Sequence, residues 1–441
     1  MNILKTMTIT ASLAAPIPSF AAAKMTAVLE TYSKLADYSY QKAVEDAESL
    51  NKAIGKFAKS TSQTNFDAAK KAWLQSRESY GLTEAFRLAD GPIDAEAGWV
   101  ADMYGSLEGQ LNAWPLDESM IDYTLDANGK RSSGNIIDAK GTFTPSGAEA
   151  TSVNVKAITV EALTALNENG GDANVASGYH AIEFLLWGQD QDYNNFMEDK
   201  VSPGALTAGQ RPLSDFKEAI KGERRLAFLK AASEKILGDL KTVHKAWQGS
   251  AQTSCPSSGK GCYRSALLGT LKGKDASKNI PKEESLTTII KGLGVFIKSE
   301  LANERIAVAV LTPSEEDEQS CFSDNTHRDI TSNYHGFLNV LKGSYKNKKF
   351  GTSLYSQLDG AAKLRFDSLI KSIDKRVAEM NSLAEKKWHF DHQIMPGNNA
   401  KELRKMKNDM RKLGNAMVDL AKTFKISINK KDVTDAEETK I

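Results

Sequence analysis

The chain has 441 residues, enough for two or three domains. Its 41% hydrophobic content suits large solvated helical surfaces, and a net charge of +1 removes any general electrostatic case for nucleic acid. Past the N-terminus no run of about 18 apolar residues occurs, so no transmembrane segment is expected.

The first residues have the layout of a signal peptide. Lys5 supplies the positive start, an apolar small-residue stretch runs over 7–20, and Ala21-Ala22-Ala23 makes a small-x-small cleavage site before Lys24. Thr8, Thr10, Pro16 and Pro18 break the stretch too often for a membrane span. Residues 1–23 are therefore expected to be removed, which places the mature protein in the periplasm or at the outer membrane.

Helical periodicity dominates the rest of the chain. Residues 26–59 place apolar side chains at 3–4 spacing (Val28, Leu29, Tyr32, Leu35, Ala36, Tyr40), as one long helix or two stacked ones. Residues 65–88 continue the pattern until Asp90-Gly91-Pro92 stops it. Helices are expected over 99–113, 153–167 and 174–187, with a loop or short hairpin in the Gly/Ser/Thr-rich stretch 126–152. Further helices are expected over 214–248, 285–311, 326–341, 354–381 and 400–424. Alternating strand patterns are scarce. The fold class is all-α, with helical bundles at 24–205 and 206–428 and a polar tail at 429–441. The division falls where Pro203-Gly204, Gly209 and Pro212 accumulate.

Three cysteines remain. Cys255 and Cys262 close a short Gly-containing loop, for which a local disulfide is the simplest use in an oxidising compartment. Cys321 then packs as a buried thiol. Lys342, Lys346, Lys348 and Lys349, beside Tyr345 and Phe350, read as solvated loop charge.

Four stretches hold candidate chemistry. His180 and Glu183 lie three apart in a greasy segment, so a helix puts imidazole and carboxylate side by side, as a metal site or as a buried pair. Trp73, Arg77, Tyr80 and Glu84 share one helical stripe, with Arg87 and Asp94 following around the Pro92 turn. Charges on such a stripe must pair with one another or meet a ligand. The run 315–329 crowds Glu318, Ser320, Ser323, Asp324, Thr326 and His327 together. Ser314 and Thr326 can each open a capping box there, and the remaining oxygen donors with an imidazole suit a hard or borderline ion such as iron. His389 and His392 sit at i, i+3 in a helix end or loop and read as structural.

These stretches resemble the imelysin family of bacterial periplasmic and outer-membrane-associated proteins. Gly178, His180 and Glu183 match its Gly-x-His-x-x-Glu motif. Trp73, Arg77, Pro92, Ile93 and Asp94 look like its Trp-x-x-x-Arg segment and Pro-Ile-Asp turn. The run 318–329 is similar to a signature of the iron-regulated branch. The resemblance covers about 27–425 and implies two bundles related by duplication, with a polar cleft where His180 and Glu183 face the 320–327 stretch. It also implies a role in iron uptake. On that reading His180, Glu183, Asp94 and Asp324 are the metal ligands, and Trp73, Arg77, Glu84, Arg87, Glu318, Ser320, Ser323, Thr326 and His327 line the cleft. The cargo is iron or an iron chelate, and the partner is an inner- or outer-membrane iron transporter. The alternative is a zinc metallopeptidase, which needs about three protein ligands, an open water position and a base. The helix motif His-Glu-x-x-His that usually supplies them is absent. A surface protein without a ligand is the third reading.

Overall fold

The computed structural model describes residues 20–126, 128–190, 208–311, 313 and 317–436. Residues 1–19 and the expected division at 205/206 lie outside them. The described chain is mostly helical, as the periodicity demands. Its strands are two-residue pairs: β1 (Thr142–Phe143) with β2 (Val153–Asn154), and β3 (Ser344–Tyr345) with β4 (Lys348–Lys349).

Helix α1 is one unbroken element, Phe20–Lys59, not two stacked ones. Its apolar stripe is buried along the whole length, from Val28 and Leu29 to Ile54 and Phe57. Each large apolar side chain buried this way contributes about 1.5–3 kcal/mol over its exposed state. Lys56 and Lys59 meet the negative end of the helix dipole. Helix α2 (Gln63–Gly81) starts at Ser62, whose hydroxyl accepts from Asn65 N–H, and returns along α1. The expected helix over 65–88 ends early. It closes at Gly81 and is followed by a single 3-10 turn, Glu84–Phe86. Leu88 and Asp90 then take positive φ, and the Asp94 carboxylate accepts the backbone N–H of Leu88 and of Gly91.

Two other expected helices are shorter than their periodicity suggested. The 99–113 stretch breaks into α3 (Gly98–Tyr104) and α4 (Glu108–Asn112) at Gly105 and Ser106, both left-handed. After the single-turn α5 (Glu118–Ile121), the 153–167 stretch spends its start on β2, leaving α6 at Val160–Leu166. Helix Lys221–Trp247 packs along α1, so the first long helix rests on one from the second half of the sequence. The segment from Lys282 runs to Leu311 as α-helix, then a π-helical stretch (Phe296–Ala307), then α-helix again. Helix Ala400–Lys422 packs on that stretch and on helix Gly360–Lys386. Helix Thr326–Lys342 crosses the end of α2 at Gly336, where a Cβ would come within 2.7 Å of the Leu82 carbonyl. The second half is thus pressed against the Trp73–Glu84 stripe because no side chain intervenes there.

Cys255 and Cys262 are disulfide-bonded, and Cys321 is buried outside any disulfide. No helix among the described residues is long and apolar enough to cross a membrane.

Candidate functional site

Helix α7 (Gly178–Trp187) is buried on every side, which explains why its sequence is apolar all round apart from one His and one Glu. It begins abruptly. Ser177 is extended and Gly178 has φ +83, with its α-carbon so close to α4 that a Cβ would sit 2.5 Å from the Leu111 carbonyl. Only glycine satisfies both demands, and this start sets the rotation of the helix. Gly188, at φ +78, ends it.

The rotation brings His180 and Glu183 together inside the protein. His180 Nδ1 lies 3.0 Å from Glu183 Oε2, and both side chains are fully covered. The other carboxylate oxygen accepts twice from the second half of the chain: from Ser323 N–H at 3.0 Å and from the Ser323 hydroxyl at 2.6 Å. Burial pushes the Glu183 carboxyl up to about 8, against the stabilising donors of Ser323 and with a further push from Asp329. Burial, with Arg77 and Arg305 adding, holds the His180 imidazole well below its ordinary value, so the ring is neutral at pH 7. With Glu183 protonated, Oε2–H donates to Nδ1 and the neutral ring carries its hydrogen on Nε2. Loss of the Glu183 proton moves the ring hydrogen to Nδ1 and leaves a lone pair on Nε2, the arrangement by which a carboxylate orients a metal-binding histidine. His180 Nε2 has no hydrogen-bond partner. Its ring packs against Trp114 at 4.9 Å between centroids, and Trp114 and Phe184 both pack against Phe322.

The raised carboxyls have a consequence for stability. Asp324, in a left-handed conformation, is pushed up to about 9 by burial and by the neighbouring Asp391, Asp190 and Glu183. A carboxyl whose folded value is raised contributes stability that is fully present below its unfolded value near 4 and is lost as pH climbs through the folded value. Between pH 6 and 9, where Glu84 stays ionised, the thermal midpoint of the wild type should therefore fall. Glu183→Gln should flatten that fall in a series of calorimetric melts, and an unchanged slope would contradict the burial of a protonated Glu183.

Under this pair lies a buried charged lattice joining both halves. Arg77 donates to Asp329 through Nε at 3.1 Å and Nη2 at 3.3 Å, with both side chains buried. Ser320 donates to the same Asp329 carboxylate at 2.5 Å, and Ser320 N–H donates to the Thr326 hydroxyl at 3.1 Å. Arg77 also donates to the side-chain oxygen Oδ1 of Asn112, and the Asn112 side-chain amide donates to Glu84 at 3.3 Å. Glu84 accepts from Arg305 at 2.6 Å, Asn333 at 3.0 Å and Arg87 at 3.4 Å. Burial opposes its ionisation, but Arg305 and Arg77 outweigh burial and hold it down at about 2. Arg87 continues the lattice to Glu108 and Glu300. Trp73 ties α2 to α7 by donating to the Tyr179 carbonyl at 2.9 Å.

The sequence-derived candidates thus divide. His180, Glu183 and Ser323 meet directly. Arg77, Glu84, Arg87 and Ser320 belong to the lattice, and Glu318 is buried in the same segment. Thr326 does not open a capping box as expected. It is the first residue of its helix, and its hydroxyl is taken by Ser320. Ser314 and residues 315–316 lie outside the described residues. Asp94 does not join His180: its carboxylate is spent on the Leu88 and Gly91 amides and lines a different groove. Burial, against those amides and Arg87, raises its carboxyl to about 6. Among the described residues no cluster of three or more His, Cys, Asp or Glu side chains is arranged to hold a metal ion.

The segment read as structural, by contrast, joins the site. His389 Nε2 lies 3.8 Å from the Asp324 carboxylate, and Asp391 is the strongest charged neighbour of Asp324. His327 Nδ1 contacts the Asp324 carbonyl at 3.1 Å, and burial, with Arg328 and His389 adding, lowers its imidazole to about 4. Asn112, Trp114, Arg305 and Asn333 are the other members that sequence reading missed, and Asp329 entered it only as the last residue of the 318–329 run. A cavity of about 440 Å³ opens beside Trp114, lined also by Asn112, Arg305 and Gln319.

Comparisons with known proteins give the family and the fold. The Imelysin family model matches residues 36–420. Iron-regulated protein A of Synechococcus elongatus is 23% identical over 320 residues, a match covering 73% of this chain but only 65% of that relative. Two solved structures share the fold. A protein described as an iron-regulated protein A precursor of Parabacteroides distasonis superposes with TM-score 0.61 at 17% identity, covering 94% of this chain and 97% of that one. An imelysin-like protein of Psychrobacter arcticum superposes with TM-score 0.56 at 12% identity, covering 94% and 100%. The chain belongs to the imelysin family.

Proposed function

We propose that this protein is an exported component of bacterial iron uptake that holds iron, in the form of a chelate, at the seam where α7 meets the 320–329 segment. The observation that carries the reading is His180 Nε2, a buried nitrogen donor with no partner, whose ring is fixed from behind by Glu183. Glu183 is in turn held by Ser323 from the other half of the chain. This refines the expected ligand set, because Glu183 orients the imidazole and His180 faces the cargo. The protein contributes few donors of its own here, so a cargo that brings its own oxygen ligands fits better than a bare ion. The name of the Synechococcus relative supports the link to iron. Export rests on the leader-like residues 1–23, and a membrane iron transporter is the partner such a carrier needs.

The test is a calorimetric titration of the full chain with ferric citrate, with citrate alone as control. Saturable binding of the iron complex at one site per chain, with no comparable heat from citrate, is the expected result. Absence of binding, together with chelator-sensitive cleavage of a peptide panel, would overturn it in favour of a metallopeptidase.

A further inference from the structure

A second groove, of about 830 Å³, runs along the 88–100 segment, the start of helix Lys282–Val295 and residues 434–436. Its charged lining has one sign: Asp90, Asp94, Glu96, Glu284 and Asp435 line it, and no described Lys, Arg or His does. The turn that Asp94 closes and the helix dipole at Glu284 account for those two, but nothing of the kind accounts for Asp90 and Glu96, which are exposed on the same groove. Carboxylates gathered along one groove favour a cation there.

Three further features indicate what kind of cation. Trp99 and Tyr263 stand beside each other in the lining, ring centroids 6.3 Å apart and tilted by 39°. Aromatic faces attract ammonium and guanidinium groups, whereas a hydrated metal ion gains little there. The wall between the carboxylates is apolar, with Leu267, Ile280 and Val295, and suits methylene segments. Ser285 also lines the groove; it is 3% exposed and its hydroxyl has no partner, so it offers an oxygen to an N–H donor. The carboxylates are not gathered as metal ligands.

We propose that this groove binds an extended organic polycation of the polyamine type, its ammonium groups on the carboxylates and the Trp99–Tyr263 pair and its methylenes on the apolar wall. The site is separate from the His180 site and does not depend on the iron reading.

Spermidine is the probe. Calorimetry of the full chain at low ionic strength should show saturable binding at one site. Trp99→Leu and Glu284→Gln should each weaken it at least about fivefold, with circular-dichroism melts matching wild type. Glu96→Gln, at an exposed position, keeps the test open should either of those variants fold poorly, and it should weaken binding in the same direction. No heat up to about 10 mM spermidine would overturn the proposal. So would unchanged affinity in all folded variants, or displacement by an equal concentration of Mg²⁺, which would mark diffuse charge attraction only.

Discussion

Replacing Arg77 by leucine should lower the thermal midpoint on the order of 10 °C. The guanidinium is fully buried and carries two bonds to Asp329 and one to Asn112. Removing one partner of a buried ion pair costs about 3–5 kcal/mol, because the remaining charge is left in a medium that cannot solvate it. Each kcal/mol moves the midpoint by roughly 2–4 °C in a protein of this kind, with the lower figure suited to a longer chain. Here the stranded charge is Asp329, and Glu84 loses part of the field that keeps it ionised. Arg77→Lys should recover only part of the loss, since an ammonium cannot reproduce the forked contact. A calorimetric melt of Arg77→Leu within a degree or two of wild type would contradict the lattice as described.

The second large effect concerns binding. His180→Ala should weaken the iron complex at least about 100-fold, while Glu183→Gln should cost about 10–100-fold, the range expected when a group that orients a ligand is lost. The order matters more than the size. If Glu183 were the direct ligand and His180 its support, the two variants would exchange places. Ser323→Ala should follow Glu183→Gln in direction and fall below it in size, since one backbone donor remains on the carboxylate. Titrations of the three variants, each checked by its melt, separate these outcomes.

The sequence made the helices legible wherever burial on one face was continuous, as in α1 and in helix Ala400–Lys422. It failed where backbone geometry overrode the pattern. Positive φ at Gly105 and Ser106 split one expected helix, and at Leu88 and Asp90 it turned the end of another into a loop. The His180–Glu183 pair was readable because its spacing alone puts the two groups on one face. Its link to Ser323 crosses 140 residues and came only through the family resemblance, which no local rule supplies. His389 is picked out by its spacing from His392 but reads as structural, and Asp391 carries no signal of its own. They reach Asp324 from a short helix, Phe390–Ile394, whose place depends on the surrounding tertiary packing. Asn112 and Asn333 were equally silent, since an asparagine that completes a buried lattice looks in sequence like any surface asparagine. Asp94 shows the opposite case. A carboxylate in a recognisable turn was assigned to the metal, yet the turn itself consumes it.

Everything functional here depends on one atom, His180 Nε2, meeting the cargo. X-ray absorption at the iron K-edge of the loaded protein tests this most directly. The wild type should show a histidine nitrogen in the first coordination shell, with the imidazole's outer-atom scattering, and His180→Ala loaded at high iron concentration should lose it. Identical spectra for the two proteins would place the iron elsewhere and contradict the account.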